Sequence, residues 1–150
     1  MKDNEDLYVQ LTKKSSYGLI ALLEIAAGSS EQPISAVYVS TKYSLPAPFV
    51  VKILHQLKCS GIITAKQGRK GGYYLVKDPE TISVRQLIEI LDKKPLALLS
   101  CLTTSKACQL NAICPTKALW EAIDEKIKEL LNKWTLKDLL KQQAEIIGGE

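Results

Sequence analysis

Cys101, Cys108 and Cys114 stand inside the fifteen residues CLTTSKACQLNAICP, and the chain of 150 residues has one other cysteine, Cys59. Three thiolates brought together select soft partners: an iron-sulfur cluster, zinc or cuprous copper. Their gaps of six and five residues do not match the Cys-x2-Cys knuckles of most structural zinc sites, and no histidine follows at finger spacing. A loop of this length lets three sulfurs approach one small object from several directions, and three ligands leave a cluster one short. The opening Met-Lys-Asp-Asn-Glu-Asp has no apolar run behind it, and no stretch is apolar for the roughly eighteen residues a membrane span requires. A cytoplasmic protein with no membrane partner is therefore expected, and there thiols stay reduced, which argues against a structural disulfide.

The second chemistry is electrostatic. Between Glu31 and Asp78 there is no acidic side chain, yet Lys42, Lys52, Lys58, Lys66, Arg69, Lys70 and Lys77 all fall there. With a whole-chain charge of +4, this stretch carries +7 and the remainder −3. A basic segment inside an otherwise acidic chain suits a polyanion such as nucleic acid. Apolar residues make up 46% and charged residues 24% of the chain, ordinary globular usage.

The elements that must position these groups are legible in the periodicity. Leu19, Ile20, Leu22, Leu23 and Ala26 recur at helical spacing and Gly28 stops that helix. Ser35 is an N-cap for a short helix through about Lys42, a turn follows at Tyr43 to Leu45, and a further helix ends before Gly61. That pair is a helix-turn-helix. In its second helix Phe49, Val50, Ile53, Leu54 and Leu57 face the core. Ala47, Pro48, Val51, Lys52 and His55 are left for the major groove, with Lys58 and Lys42 as flanking cations. The stretch IITAKQGRKGGYYLV reads as a hairpin whose tip, Gln67 to Gly72, lifts Gln67, Arg69 and Lys70 as a wing toward the DNA backbone or minor groove. Its glycines lie between two strands, not before a helix, which argues against nucleotide binding.

Ser83 and Gln86 form a capping box ahead of a short helix carrying Val84, Leu87, Ile88 and Leu91. Pro115 marks the start of a longer one, to about Trp134, whose stripe Leu119, Ala122, Ile123, Ile127, Leu130 and Leu131 needs a partner, and a second copy of the chain would supply it. Trp120 and Trp134 read as anchors of that helix, and Cys59 as a small surface residue. The fold class is mainly α with a small β-hairpin wing: a winged helix-turn-helix domain over residues 9–92, a cluster-binding loop over 93–114, a dimerisation helix over 115–140, and flexible tails at 1–8 and 141–150. No Ser-His-Asp set, paired carboxylates or nucleotide fingerprint can be assembled, so an enzyme is not expected.

From Leu11 to about Leu140 the chain resembles the IscR/NsrR-type winged-helix transcription regulator family, which senses through iron-sulfur clusters. The stretches LTKKSSYGLIALLEIA, ILHQLKCSGIITAKQGRKGGYYL, ISVRQLIEIL and WTLKDLL carry the resemblance together with the cysteine triplet. It implies a homodimer with crossed C-terminal helices, double-stranded promoter DNA as partner, and an iron-sulfur cluster on Cys101, Cys108 and Cys114, with 2Fe-2S favoured and 4Fe-4S the alternative. The fourth ligand is unassigned. Lys117 stands where one branch of the family has a histidine and Ser16 where another has an acid, leaving the partner subunit, Asp3, Glu5, Asp6, solvent or a small thiol. Gln67 and Val51 replace a common arginine and glutamate, which implies a different promoter preference. The alternatives are a zinc- or thiol-based redox-sensing regulator and an iron-sulfur electron carrier.

Overall fold

The computed structural model describes residues 11–103 and 108–149. The residues expected as an N-terminal tail, with Asp3, Glu5 and Asp6, lie outside them. The first helix, α1 (Lys13–Ala26), starts where Thr12 accepts a hydrogen bond from the Ser15 N–H. It buries Ala21, Leu22 and Ile25 completely. At Gly18 the side chain of Leu91 lies so near that a Cβ would meet its methyl carbon at 2.5 Å, so the absence of a side chain sets how closely the two helices approach.

The helix-turn-helix is α2 (Ala36–Tyr43) and α3 (Ala47–Cys59), capped by Ser35 and begun with Pro46 and Pro48 in its unbonded first turn. The turn between them closes through Ser44 at a left-handed φ of 52° and through the Leu45 N–H, which donates to the Ser40 carbonyl at 2.9 Å. Strands β1 (Ile63–Lys66) and β2 (Gly72–Leu75) pair antiparallel from Ile63 opposite Leu75 to Lys66 opposite Gly72. Ile34 adds itself as a third, single-residue strand, exchanging backbone bonds with Tyr73 at 2.9 and 2.8 Å. The wing is thereby fastened one residue ahead of the cap of α2. This is the winged-helix architecture expected, mainly helical with one small sheet.

Helix α4 (Val84–Asp92) is begun by Ser83, which accepts from the Gln86 N–H. It packs on α1, α3 and the next helix, α5 (Lys117–Lys133). The main core gathers Leu22, Ile25, Ile53, Leu54, Leu57, Ile62, Ile82, Leu87 and Leu91.

The long C-terminal helix ends close to Trp134, where its apolar stripe was expected to end, and the residues beyond it, up to 140 and into the segment from 141, form a further helix. The helix starts at Lys117 and ends at Lys133; Trp134 is extended and α6 (Leu136–Gly148) follows, passing the 140/141 boundary. Thr135 and Asp138 form a full capping box there. Residues 134–136 are clipped to 82–84: the Val84 N–H donates to the Trp134 carbonyl at 2.8 Å and the Leu136 N–H to the Ile82 carbonyl at 2.9 Å. Leu136 is fully buried in the main core. Burying a leucine contributes roughly 1.5–3 kcal/mol, and two backbone bonds and the cap add to the hold on this segment.

Candidate functional site

On α3 the exposed residues Pro48, Val51, Lys52, His55 and Cys59 recur at helical spacing as one stripe, while Ile53, Leu54 and Leu57 are fully buried behind it. Ala47 and Lys58 are exposed at its two ends. Gln67, Arg69 and Lys70 are exposed at the hairpin tip. That tip is tight: Gly68 has φ +110°, the Gly71 N–H donates to its carbonyl at 3.0 Å, and a Cβ at Gly71 would collide with the Lys66 carbonyl. Among the described residues Lys52, Lys58, Arg69 and Lys70 enter no ion pair.

Lys42 is a different case. Its Nζ donates to both oxygens of Glu24, at 2.9 and 3.0 Å, and lies over the rings of Tyr38 and Tyr43 at 5.7 and 5.6 Å. The Tyr43 hydroxyl donates to the same carboxylate at 2.9 Å. Glu24 is only 5% exposed, and its hydrogen bond holds the Lys42 ammonium above its usual pKa. The charge that the sequence reading assigned to DNA is engaged in joining α2 to α1. Lys66 is likewise drawn aside, donating to the Ser30 carbonyl at 2.9 Å.

Two other groups join the basic surface without having been expected. Tyr38, 48% exposed on α2, shares a groove with Ser35, Arg69 and Lys70, so the N-terminus of α2 and the wing tip face one space. Its signal was its position three residues after the Ser35 cap, on the side that Val39 does not use. Lys14 on α1 is pushed below its usual pKa first by burial and then by Lys52 and Lys93. Residues so far apart in the chain give no local sign of meeting.

The thiol site lies at the foot of α5. Cys101 in a short 3-10 turn (Ser100–Leu102), Cys108, and Cys114 three residues before α5 line one recess with Lys117 and Trp120. All four cysteines are free thiols. Thr116 lowers the Cys114 pKa, through its hydroxyl first and then its N–H, with the Lys117 N–H and ammonium adding to the effect. His55 is elsewhere, its Nε2 3.4 Å from the Cys59 sulfur on α3.

The donor set fits an iron-sulfur cluster in its chemistry: three soft, unoxidised cysteines line one recess, Thr116 holds the Cys114 thiol below its usual pKa, and the Lys117 ammonium stands beside them. Lys117 has no lone pair to offer as a fourth ligand while protonated. The recess has a volume of about 20 Å³, room for a water molecule, so a cluster requires the loop to widen. Among the described residues no three His, Cys, Asp or Glu side chains are close enough to hold a single metal ion.

Comparison with known proteins gives the family and the fold. The Rrf2 family model, described as an iron-dependent transcriptional regulator, matches residues 11–142. Protein rrf2 of Nitratidesulfovibrio vulgaris is 31% identical over 136 residues, which is 91% of this chain and 90% of that one. The HTH-type transcriptional regulator IscR of Serratia proteamaculans is 28% identical over 142 residues, 95% of this chain and 85% of that protein. Among solved structures, T. potens IscR matches with a TM-score of 0.71 at 26% identity, over 91% and 90% of the two chains. CymR, the global cysteine regulator of B. subtilis, has the same fold, with a TM-score of 0.69 at 24% identity over 89% and 97%.

Proposed function

The chain belongs to the Rrf2 family, and from that premise we propose a homodimeric regulator whose hold on promoter DNA is set by an iron-sulfur cluster on Cys101, Cys108 and Cys114. That it is a DNA-binding transcription regulator and not an enzyme follows from the family itself. The observation that carries the finer reading is the shared recess of three free thiols at the foot of α5. When bound, the cluster supplies a one-electron redox centre and a cross-link among three thiolates.

The DNA face is α3 with the wing. Docked in the usual way, Ala47, Pro48, Val51, Lys52 and His55 face base edges, while Lys58, Arg69 and Lys70 neutralise phosphates and Gln67 offers a polar contact. Lys14 and Tyr38 extend that footprint. The second copy is argued from α5: Ile127 and Leu131 pack on its own domain, whereas Leu119, Leu130 and Trp134 are 54, 58 and 38% exposed along the other side. A shared outward face on two copies would space two α3 helices for successive turns of a palindromic site. Loop order at the thiols then biases that spacing, a shift between two populations. Among the described residues no helix is long and apolar enough to cross a membrane, and a promoter-binding protein works in the cytoplasm beside the chromosome.

Anaerobic purification with iron and sulfide analysis, followed by DNA titration before and after chelation, tests the reading. Iron and sulfide in equal amounts and a changed DNA affinity on removal support it; an unchanged affinity overturns it. The lowered Cys114 pKa favours a second reading, in which the thiols themselves are the sensor. A colourless protein whose DNA affinity changes on thiol oxidation and returns with a dithiol reductant would establish that one, and stoichiometric zinc would point to a zinc-based regulator.

A further inference from the structure

Two carboxylates hold the strap of chain that leads into the thiol site. The strap leaves α4 at Lys93, which has a left-handed φ of 54°, and reaches the turn containing Cys101 after Leu99. Leu96 is buried within a small core formed by Val84 and Ile88 of α4 and Ile127 and Leu131 of α5. Its N–H donates to Glu89 Oε1 on α4 at 2.9 Å. Two residues later the Leu98 N–H donates to Asp124 Oδ1 on α5 at 2.5 Å. Asp124 is 6% exposed, and its second oxygen takes the Lys128 ammonium at 2.6 Å.

A buried carboxylate costs desolvation, and an apolar residue would serve packing at this position of α5. What Asp124 adds is a bond to a backbone N–H three residues before Cys101, at most about 11 Å of extended chain. Cys114 is tied to the same helix by continuity, since Lys117 begins it. Helix α5 therefore holds both arms of the cysteine loop, one through the chain and one through Asp124.

We infer that Asp124 is a positioning residue of the thiol site, keeping Cys101 at the recess that Cys114 lines. The inference rests on the thiol site proposed above and deepens it. The test uses the full-length, metal-free chain with Cys59→Ser and Cys108→Ser, so that Cys101 and Cys114 are the remaining thiols. Phenylarsine oxide bridges a close thiol pair: two As–S bonds form, and the arsenic-bound oxygen leaves as water with the two thiol protons. Retention against a competing small dithiol reads how well the two sulfurs converge.

One arsenical is retained per chain, and Cys101→Ser abolishes retention. Asp124→Ala weakens it about tenfold, the order expected for one hydrogen bond to a charged group. Asp124→Asn restores much of it, because its amide oxygen accepts the same N–H. Lys128→Met stays within about twofold of the parent, because it breaks the ion pair and spares the Leu98 bond. Asp124→Ala matching the parent, or Lys128→Met losing as much as Asp124→Ala, overturns the inference and leaves the thiol site standing. Failure of the parent to retain the arsenical overturns the shared thiol site, and the inference with it. Thermal melts followed by circular dichroism confirm that each variant is folded; if Asp124→Ala is not, Asp124→Leu, which keeps the bulk of the side chain without an acceptor, takes its place with the same expected loss and the same overturning result.

Discussion

The salt dependence of DNA binding separates the cations that face DNA from those the fold itself consumes. Lys52, Lys58, Arg69 and Lys70 have no ion-pair partner among the described residues, whereas Lys42 is bound to Glu24 at 2.9 Å. Two protomers then bring about eight phosphate-neutralising charges, and counterion release gives a slope of log affinity against log salt near −7. Raising salt from 0.1 to 0.4 M should weaken binding by roughly four orders of magnitude. Replacing Arg69 and Lys70 together by glutamine removes half of those charges, so the slope falls to about −3.6 and the same salt step costs about two orders. Lys42→Gln should leave the slope unchanged and instead lower the melting temperature, since Glu24 keeps only Tyr43 as partner in a buried position. Fluorescence anisotropy of labelled promoter DNA at four or five salt concentrations measures all three proteins. A wing variant with the parental slope, or a Lys42 variant whose slope drops by about two units, would refute the assignment.

Three further outcomes follow from other parts of the molecule. Leu136→Ala should cost about 2–5 kcal/mol in urea denaturation, because this fully buried side chain belongs to the main core; a loss below about 0.5 kcal/mol would show α6 to be a mere tail. Asp138 is held below its ordinary pKa by the Thr135 N–H and hydroxyl. Its stabilisation is therefore complete above the unfolded-chain value near pH 4 and fades as pH falls through the lower folded value, so the melting-temperature gap between parent and Asp138→Asn should close on acidification. A gap of equal size at about pH 2 and about pH 7 would contradict that sign. Charges placed on the outer side of α5, in Ile123→Asp with Leu130→Asp, should convert dimer to monomer in sedimentation while the chain stays folded, and an unchanged oligomeric state would remove α5 as the interface.

Much of the fold was legible because it is encoded within a turn or two of chain. Ser35 and Ser83 announce their helices by bonding the N–H three residues on, and the spacing of Phe49, Val50, Ile53, Leu54 and Leu57 already separates a core face from a reading face. The wing was visible as two β-rich runs around glycines. The cysteine loop was found from residue type and spacing, and the three sulfurs do line one recess. Thr135 with Asp138 is an equally local signal, a capping box four residues long that starts α6 just past the end of the stripe near Trp134.

Helix periods, caps, the hairpin and the clustering of thiols and cations could be read along the chain, because each depends on neighbours within a short stretch. The pairing of Lys42 with Glu24, the approach of Lys14 to Lys52, the return of Leu136 to the core and the hold of Asp124 on Leu98 were set by packing between distant elements. Such pairings join residues 18 to more than 50 positions apart, as with Glu24–Lys42 and the Ile82–Leu136 bond. They form only after packing has brought distant elements together, and a buried carboxylate or amide there must take whichever partner the fold has placed within reach.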